Sequence, residues 1–310
     1  MILCNGEALI DMLPRDSQSG EACFAPYPGG AVFNTAIALG RLGCQTGFLS
    51  GLSTDLFGQA LVSALTASGV VADFAIRSDR PTTLAFVTLR DGQASYAFYD
   101  ENTAGRMLTP DMLPRLPGDI RAMFFGGISL AVEPCAQAYE TLLLREAPHR
   151  LTMMDPNIRP GFIADEPAYR ARIGRMIAAS DIVKLSDEDL RWLAGPGDIE
   201  ILATGILTAG PRLVFITEGA QGAHAFTSHD RVFCPAQRVQ VVDTVGAGDT
   251  FNAGVLAALA RAGALSKAGV AAADSALIES CLRLGIAAAS VTVSRAGANP
   301  PWAAELEDPL

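Results

Sequence analysis

The chain has 310 residues, half of them hydrophobic and only 18 % charged, with 30 glycines and 7 % aromatics. These values exclude an intrinsically disordered chain, allow a large core, and suit helices packed closely on a sheet better than an all-β sandwich. The net charge of −10 argues against nucleic-acid binding, which needs a basic face.

The opening Met1-Ile2-Leu3-Cys4-Asn5-Gly6-Glu7 has no basic n-region and does not read as a signal peptide. A first strand is expected over 2–4, a helix over 32–42, a strand over 47–50 and a helix over 57–68. The rhythm then breaks. Residues 82–89 and 95–99 read as two strands around the turn Arg90-Asp91-Gly92-Gln93, with 13–27 completing a small separate sheet. This hairpin is either an extra edge of the main sheet or a flap over a site. Strands follow over 122–125, 151–154, 182–185 and 213–216, and helices over 134–146, 168–179, 249–262 and 278–291. Such alternation predicts βαβ units and a parallel sheet covered on both faces. No apolar run approaches the roughly 18 residues of a membrane span, and no linker or repeat divides residues 1–310. The six cysteines are scattered and read as buried free thiols in a reducing cytoplasm. With three histidines they form no zinc-ligand spacing.

The sharpest signal is Val241-Val242-Asp243-Thr244-Val245-Gly246-Ala247-Gly248-Asp249-Thr250-Phe251. A strand-like run ends in small residues and opens a helix. Gly246 and Gly248 let backbone N–H groups approach an anion at the helix N-terminus, where the dipole favours it. An Asp there would repel a phosphate, so Asp249 reads either as a helix cap or as a base taking a proton from a hydroxyl beside a developing phosphoryl charge. A dinucleotide fingerprint would need Gly at Phe251. A P-loop would need Lys after Gly, which neither Lys184 nor Lys267 satisfies. Gly127-Ile128-Ser129-Leu130-Ala131 ends in Ala where a hydrolase elbow needs Gly.

Other polar clusters are expected at the carboxyl ends of strands, where open parallel sheets bind ligands. Asp11 follows the first strand. Pro28-Gly29-Gly30-Ala31-Val32-Phe33-Asn34 enters a helix, so Asp11 and Asn34 can bond vicinal hydroxyls of a polyol lying on the glycines. Asp155-Pro156-Asn157-Ile158-Arg159 and Lys184-Leu185-Ser186-Asp187-Glu188-Asp189 are the remaining two.

From Gly6 to about Pro301 the chain resembles the ribokinase-like carbohydrate kinases, the phosphofructokinase-B family. The stretch Gly29-Gly30, Asn34-Thr35-Ala36 and Leu39-Gly40-Arg41-Leu42-Gly43, then Asp243 to Phe251, match the two family signatures in order. The resemblance implies a single ribokinase-like α/β three-layer sandwich, with a mostly parallel sheet and a β lid from about 12–28 and 78–104. It implies transfer of the ATP γ-phosphoryl group to a primary hydroxyl, with Mg²⁺. Asp249 matches the catalytic base, and Gly246, Ala247 and Gly248 the anion hole. Asp11, Gly29, Gly30, Asn34 and Arg159 match the sugar side. Lys184, Ser186, Thr217, Gly219, Gly222 and Gly248 match the nucleotide side.

Ser186 and Asp189 stand where the family has Asn and Glu tied to magnesium and phosphate; the shorter Asp189 reaches the ion through water. Asp243 and Val245 match a monovalent-cation loop, for K⁺. Ile286 stands where many relatives carry Asn near the adenine, which leaves base recognition open. Ser53 replaces Gly in Ser53-Thr54-Asp55-Leu56-Phe57-Gly58. The wording of the motifs is most like bacterial fructokinases, with 2-keto-3-deoxygluconate kinases, other sugar or nucleoside kinases, or a catalytically silent sensor as alternatives. Asp100 and Glu101, placed beside the sugar, favour a neutral ketose over a carboxylate. The partners implied are a sugar and ATP, without nucleic acid or membrane, in a homodimer formed through the lid.

Overall fold

In the computed structural model, which describes residues 1–90 and 93–306, the βαβ alternation becomes a nine-stranded sheet between two helical layers. Asp91 and Gly92 of the expected hairpin turn lie outside the described residues. The first half of the chain supplies β1 (Ile2–Asn5), β2 (Leu9–Asp16), β3 (Ala22–Gly29), α1 (Ala31–Arg41), β4 (Thr46–Leu49), β5 (Gly51–Ser53), α2 (Leu56–Ala67), β6 (Val70–Val71), β7 (Ile76–Ser78), β8 (Leu84–Arg90) and β9 (Gln93–Tyr99). The middle supplies β10 (Ala122–Gly126), α3 (Cys135–Glu146), β11 (Leu151–Asp155), α4 (Glu166–Ala179), β12 (Ile182–Ser186), α5 (Asp187–Ala194) and α6 (Ile199–Thr208). The last third adds β13 (Leu213–Thr217), β14 (Gly222–Phe226), β15 (Arg231–Pro235), α7 (Ala247–Arg261), α8 (Lys267–Ala271) and α9 (Ser275–Val293).

The order across the main sheet is β15-β14-β13-β12-β11-β10-β1-β4-β6. All neighbours are parallel except β13–β14 and β14–β15. Alternation along each strand feeds two cores. Cys4, Phe124, Met153 and Phe215 pack with α1, α2, α7 and α9. Leu3, Phe125, Met154 and Ile216 pack with α3 to α6. A Cβ on Gly254 would lie 2.5 Å from the Cα of Gly285, so α7 and α9 meet backbone to backbone.

A second sheet, β3-β2-β8-β9, stands apart. The 82–99 hairpin therefore does not extend the main sheet: β8 pairs with β2. Asp11 is a strand residue of this second sheet, paired with Tyr27, rather than a residue following the first strand. Val241 and Val242 form no strand and are 60 % and 58 % exposed. The backbone N–H groups of Val242 and Asp243 donate to the Val293 carbonyl instead of to a strand.

All six cysteines are free, but only four are buried; Cys23 is exposed because it sits on β3, and Cys44 is half-buried. Among the described residues one helix reaches membrane-spanning length: α9, with 19 residues and a mean hydropathy of 1.5 over an 18-residue window. Its Ile278, Cys281, Leu282 and Leu284 are buried in the core, as in a central helix of a folded domain. Asp55 of the Ser53–Gly58 step caps α2, accepting from the Gly58 N–H at 2.7 Å and from both the N–H and the hydroxyl of Thr82.

Candidate active site

Helix α7 begins at Gly246, which has φ +79° and offers no capping side chain. A Cβ there would lie 2.7 Å from that of Ala298, so glycine is needed for both space and conformation. Its first-turn N–H groups lack intrahelical partners and carry the positive end of the helix dipole. Asp249 sits in that first turn, buried. Asn34 on α1 donates from Nδ2 to Asp249 Oδ2 at 2.9 Å, and the Thr35 hydroxyl donates to the Asp249 carbonyl at 3.2 Å. Burial pushes the Asp249 carboxyl up to about 7; the Asn34 bond and Lys184 pull it down, while Asp155 and Glu7 push it further up. Oδ1 takes no hydrogen bond among the described residues. Since Gly246 precedes it as the cap, Asp249 is not the helix cap.

Beneath the same turn lies Lys184, whose Nζ would be 3.1 Å from a Cβ on Gly248. Lys184 donates to Asp155 Oδ2 at 2.9 Å, with both side chains almost fully buried. Asn252, one turn along α7, donates to the same oxygen at 2.8 Å. The sheet thus delivers a paired cation to the spot where the helix dipole points.

Asn34, Asp155, Lys184, Gly248 and Asp249 line a cavity of about 990 Å³ that also takes in Asp11, Gly30, Arg159, Asp243, Val245 and Ala247. The Asp11 carboxylate has no hydrogen-bond partner among the described residues, and burial pushes its carboxyl up to about 6. Gly29 lies behind it: a Cβ there would collide with Asp11 Oδ2, so Gly29 is the seat of that carboxylate and does not itself face the cavity. Arg159 is exposed and donates to its neighbour's carbonyl, that of Ile158, at 3.0 Å.

Several expected site residues lie elsewhere. Ser186, Asp189, Thr217, Gly219 and Gly222 do not line this cavity; Ser186 and Thr217 end β12 and β13, Asp189 sits in the first turn of α5, and Gly219 and Gly222 form the turn into β14. Ser186 caps α5 through the Asp189 N–H at 3.0 Å, and Asp189 Oδ1 accepts from the Ile158 N–H at 3.2 Å. Burial raises the Asp189 carboxyl, and the charge of Asp155 raises it further, against Lys184, Ser186 and Arg159. Ile286 is a core residue. Asp100 pairs with Arg106 at 3.1 Å, and neither it nor Glu101 faces the cavity, so the expected repulsion of a sugar carboxylate by these two acids is absent. Both oxygens of Asp243 tie loops together, accepting N–H groups of Val245 at 3.0 Å and Gly297 at 2.9 Å. No group of three His, Cys, Asp or Glu suited to a metal occurs among the described residues.

Sequence reasoning missed Glu7 and Asn252 and left Asp155 without a role. Glu7 and Asp155 line the cavity. The only signal for Glu7 was its place directly after the first strand; Asn252 is three residues past Asp249, on the next turn of the same helix.

A model of the pfkB family carbohydrate kinase matches residues 1–305. The chain is 56 % identical over 285 residues to a fructokinase of Rhizobium leguminosarum bv. trifolii, covering 92 % of this chain and 86 % of that protein. It superposes on a fructokinase with bound ATP from Xylella fastidiosa with a TM-score of 0.86 at 31 % identity, over 96 % of this chain and 93 % of that one. A Vibrio cholerae O395 fructokinase in a fructose, ADP and calcium ion bound form gives 0.82 at 25 % identity, over 96 % and 94 %. The three-layer architecture is the ribokinase-like fold of these neighbours. Matched over almost its whole length, with a glycine-framed helix start around a buried Asp, this chain belongs to the pfkB family of carbohydrate kinases.

Proposed function

We propose that this chain is a fructokinase that transfers the γ-phosphoryl group of ATP to a primary hydroxyl of fructose, with Asp249 as the base. The observation that carries this reading is Asp249 itself: a buried carboxyl raised to about 7, held on Oδ2 by Asn34 with Oδ1 free, at a helix start with a paired lysine beneath it. A base with that pKa accepts a hydroxyl proton near neutral pH. The N–H groups of Ala247, Gly248 and Asp249, with Lys184, hold the transferring group as its charge spreads. Asp11, Gly30, Asn34 and Arg159 face the sugar, and Gly29 seats Asp11. Lys184, Ser186, Thr217, Gly219 and Gly222 form the nucleotide side. The sheet β3-β2-β8-β9 acts as a lid over the sugar, drawn from about 12–28 and 78–104.

Asp155 already accepts at both oxygens, Oδ1 from the Asn157 N–H and Oδ2 from Lys184 and Asn252, which suits it to hold the lysine rather than a metal. Asp189, buried beside it, would hold Mg²⁺ through water, and the ion when bound neutralises phosphate charge. A K⁺ ion at Asp243 and Val245 fits less well, since both Asp243 oxygens already accept amides; no step depends on it. The uncovered lid face with Phe24 and Tyr99 suits pairing with a second copy, and the free cysteines suit the cytoplasm.

Arg15 and Arg159 also line the cavity and would suit a sugar acid, so 2-keto-3-deoxygluconate is the second reading. ADP release measured against a sugar panel decides. Fructose should give the highest kcat/KM. A preference for the acid of tenfold, about 1.4 kcal/mol, overturns fructose but not the kinase; no ADP release with any sugar leaves a silent binder.

A further inference from the structure

Glu7 enters none of these steps, yet it is buried at the carboxyl end of β1 with its carboxylate enclosed by the site. Helix α1 starts at Gly30, which has no side chain to cap it. Glu7 supplies that cap from another element: Oε1 accepts the Ala31 N–H at 3.0 Å. Oε2 accepts the Ser129 N–H at 3.3 Å, tying the loop after β10 to the same group. The seat is built for a carboxylate. A Cβ on Gly127 would collide with both Glu7 oxygens, and one on Gly30 would lie 3.2 Å from Glu7 Cγ. One turn into the helix so anchored are Asn34 and Thr35, which grip the side chain and the backbone of Asp249.

We propose that Glu7 is a positioning residue for phosphoryl transfer: by capping α1 from β1 it fixes Asn34 against Asp249. This rests on the reading of Asp249 as the base. A helix without its cap shifts or frays at its first turn, and Asn34 is the fourth residue of α1. Loss of the Asn34 bond releases the carboxyl that must meet the hydroxyl.

The test is a double-mutant cycle of Glu7→Gln and Asn34→Ala, with Asp249→Asn as control. Glu7→Gln keeps the shape but turns an N–H donor toward one of two backbone N–H groups. It should lower kcat about ten- to hundredfold with the KM for ATP within about twofold. Adding it to Asn34→Ala should lower kcat little further, because the second residue acts through the first. Glu7→Asp, which keeps the charge but withdraws it by a methylene, should behave like Glu7→Gln. Multiplicative losses in the cycle, or a lowered Tm with unchanged kcat, would reduce Glu7 to a structural cap. An active Asp249→Asn would instead overturn the base, a separable outcome.

Discussion

In the nine-stranded sheet, β1, β4, β10, β11 and β14 are buried along their whole length, while β3 of the four-stranded sheet is exposed at six of its eight positions. The carboxylates at the two places differ accordingly. Asp249 and Asp155, on the thickly packed side, each carry protein hydrogen bonds from Asn34, Lys184 or Asn252. Asp11, on the thin sheet, has none among the described residues. The proton-transfer end is therefore organised before substrate arrives, whereas the sugar end keeps an acceptor for substrate to satisfy. This is the division expected if donors aimed at developing charge must not reorganise during the reaction.

The hardest blow to this contrast is Asp249→Asn, which should lower kcat by about 10²–10⁴ with both KM values nearly unchanged. In the wild type, kcat/KM should rise through about pH 7 as Asp249 ionises. The stability sign is the reverse. A carboxyl raised in the folded state favours folding below its unfolded pKa and loses that contribution as pH rises through about 7. Asp249→Asn should thus melt above wild type at pH 8, and the excess should shrink at pH 5.5. Equal melting at both would mean the carboxyl is not raised.

Next in size is Lys184→Met, which strands the buried Asp155 charge. Unfolding free energy should fall by about 3–5 kcal/mol, measured by urea denaturation; a loss below about 1 kcal/mol would mean that water reaches Asp155. Asp11→Ala should raise sugar KM about tenfold, near 1.4 kcal/mol, and leave ATP KM alone. An effect on ATP KM instead would swap the two ends of the site. Smallest is Phe24→Ser on the uncovered sheet face, expected within about 0.5 kcal/mol of wild-type stability in dilute solution. A larger loss that grows with protein concentration would show that a second copy covers this face.

The fold was legible because its parallel strands are short apolar runs between amphipathic helices, and burial on both faces leaves that mark in the residues themselves. Glycines at 246 and 248 beside Asp249 were legible because a helix start that meets an anion needs them. Short or half-covered elements were not: α5, α6, β5, β7 and the β14–β15 hairpin are set by the surfaces they cover, and Val241 and Val242 looked like a strand, whereas the amides of Val242 and Asp243 bond the Val293 carbonyl. Asp100 and Glu101 looked like site acids because proximity in sequence to the second sheet says nothing about which way a loop turns.

By itself the sequence determined which residues could do the chemistry: a carboxylate at a helix start, glycines around it, and no lysine placed after a glycine as a P-loop requires. Tertiary structure decided what each would be there. Asn34 and Asp249 are 215 positions apart, Lys184 and Asp155 are 29 apart, and Glu7 reaches Ala31 across an entire hairpin. A carboxyl's pKa depends on its desolvation and on the groups within a few ångströms of it. Those neighbours are assembled by packing α1 against α7 over the sheet.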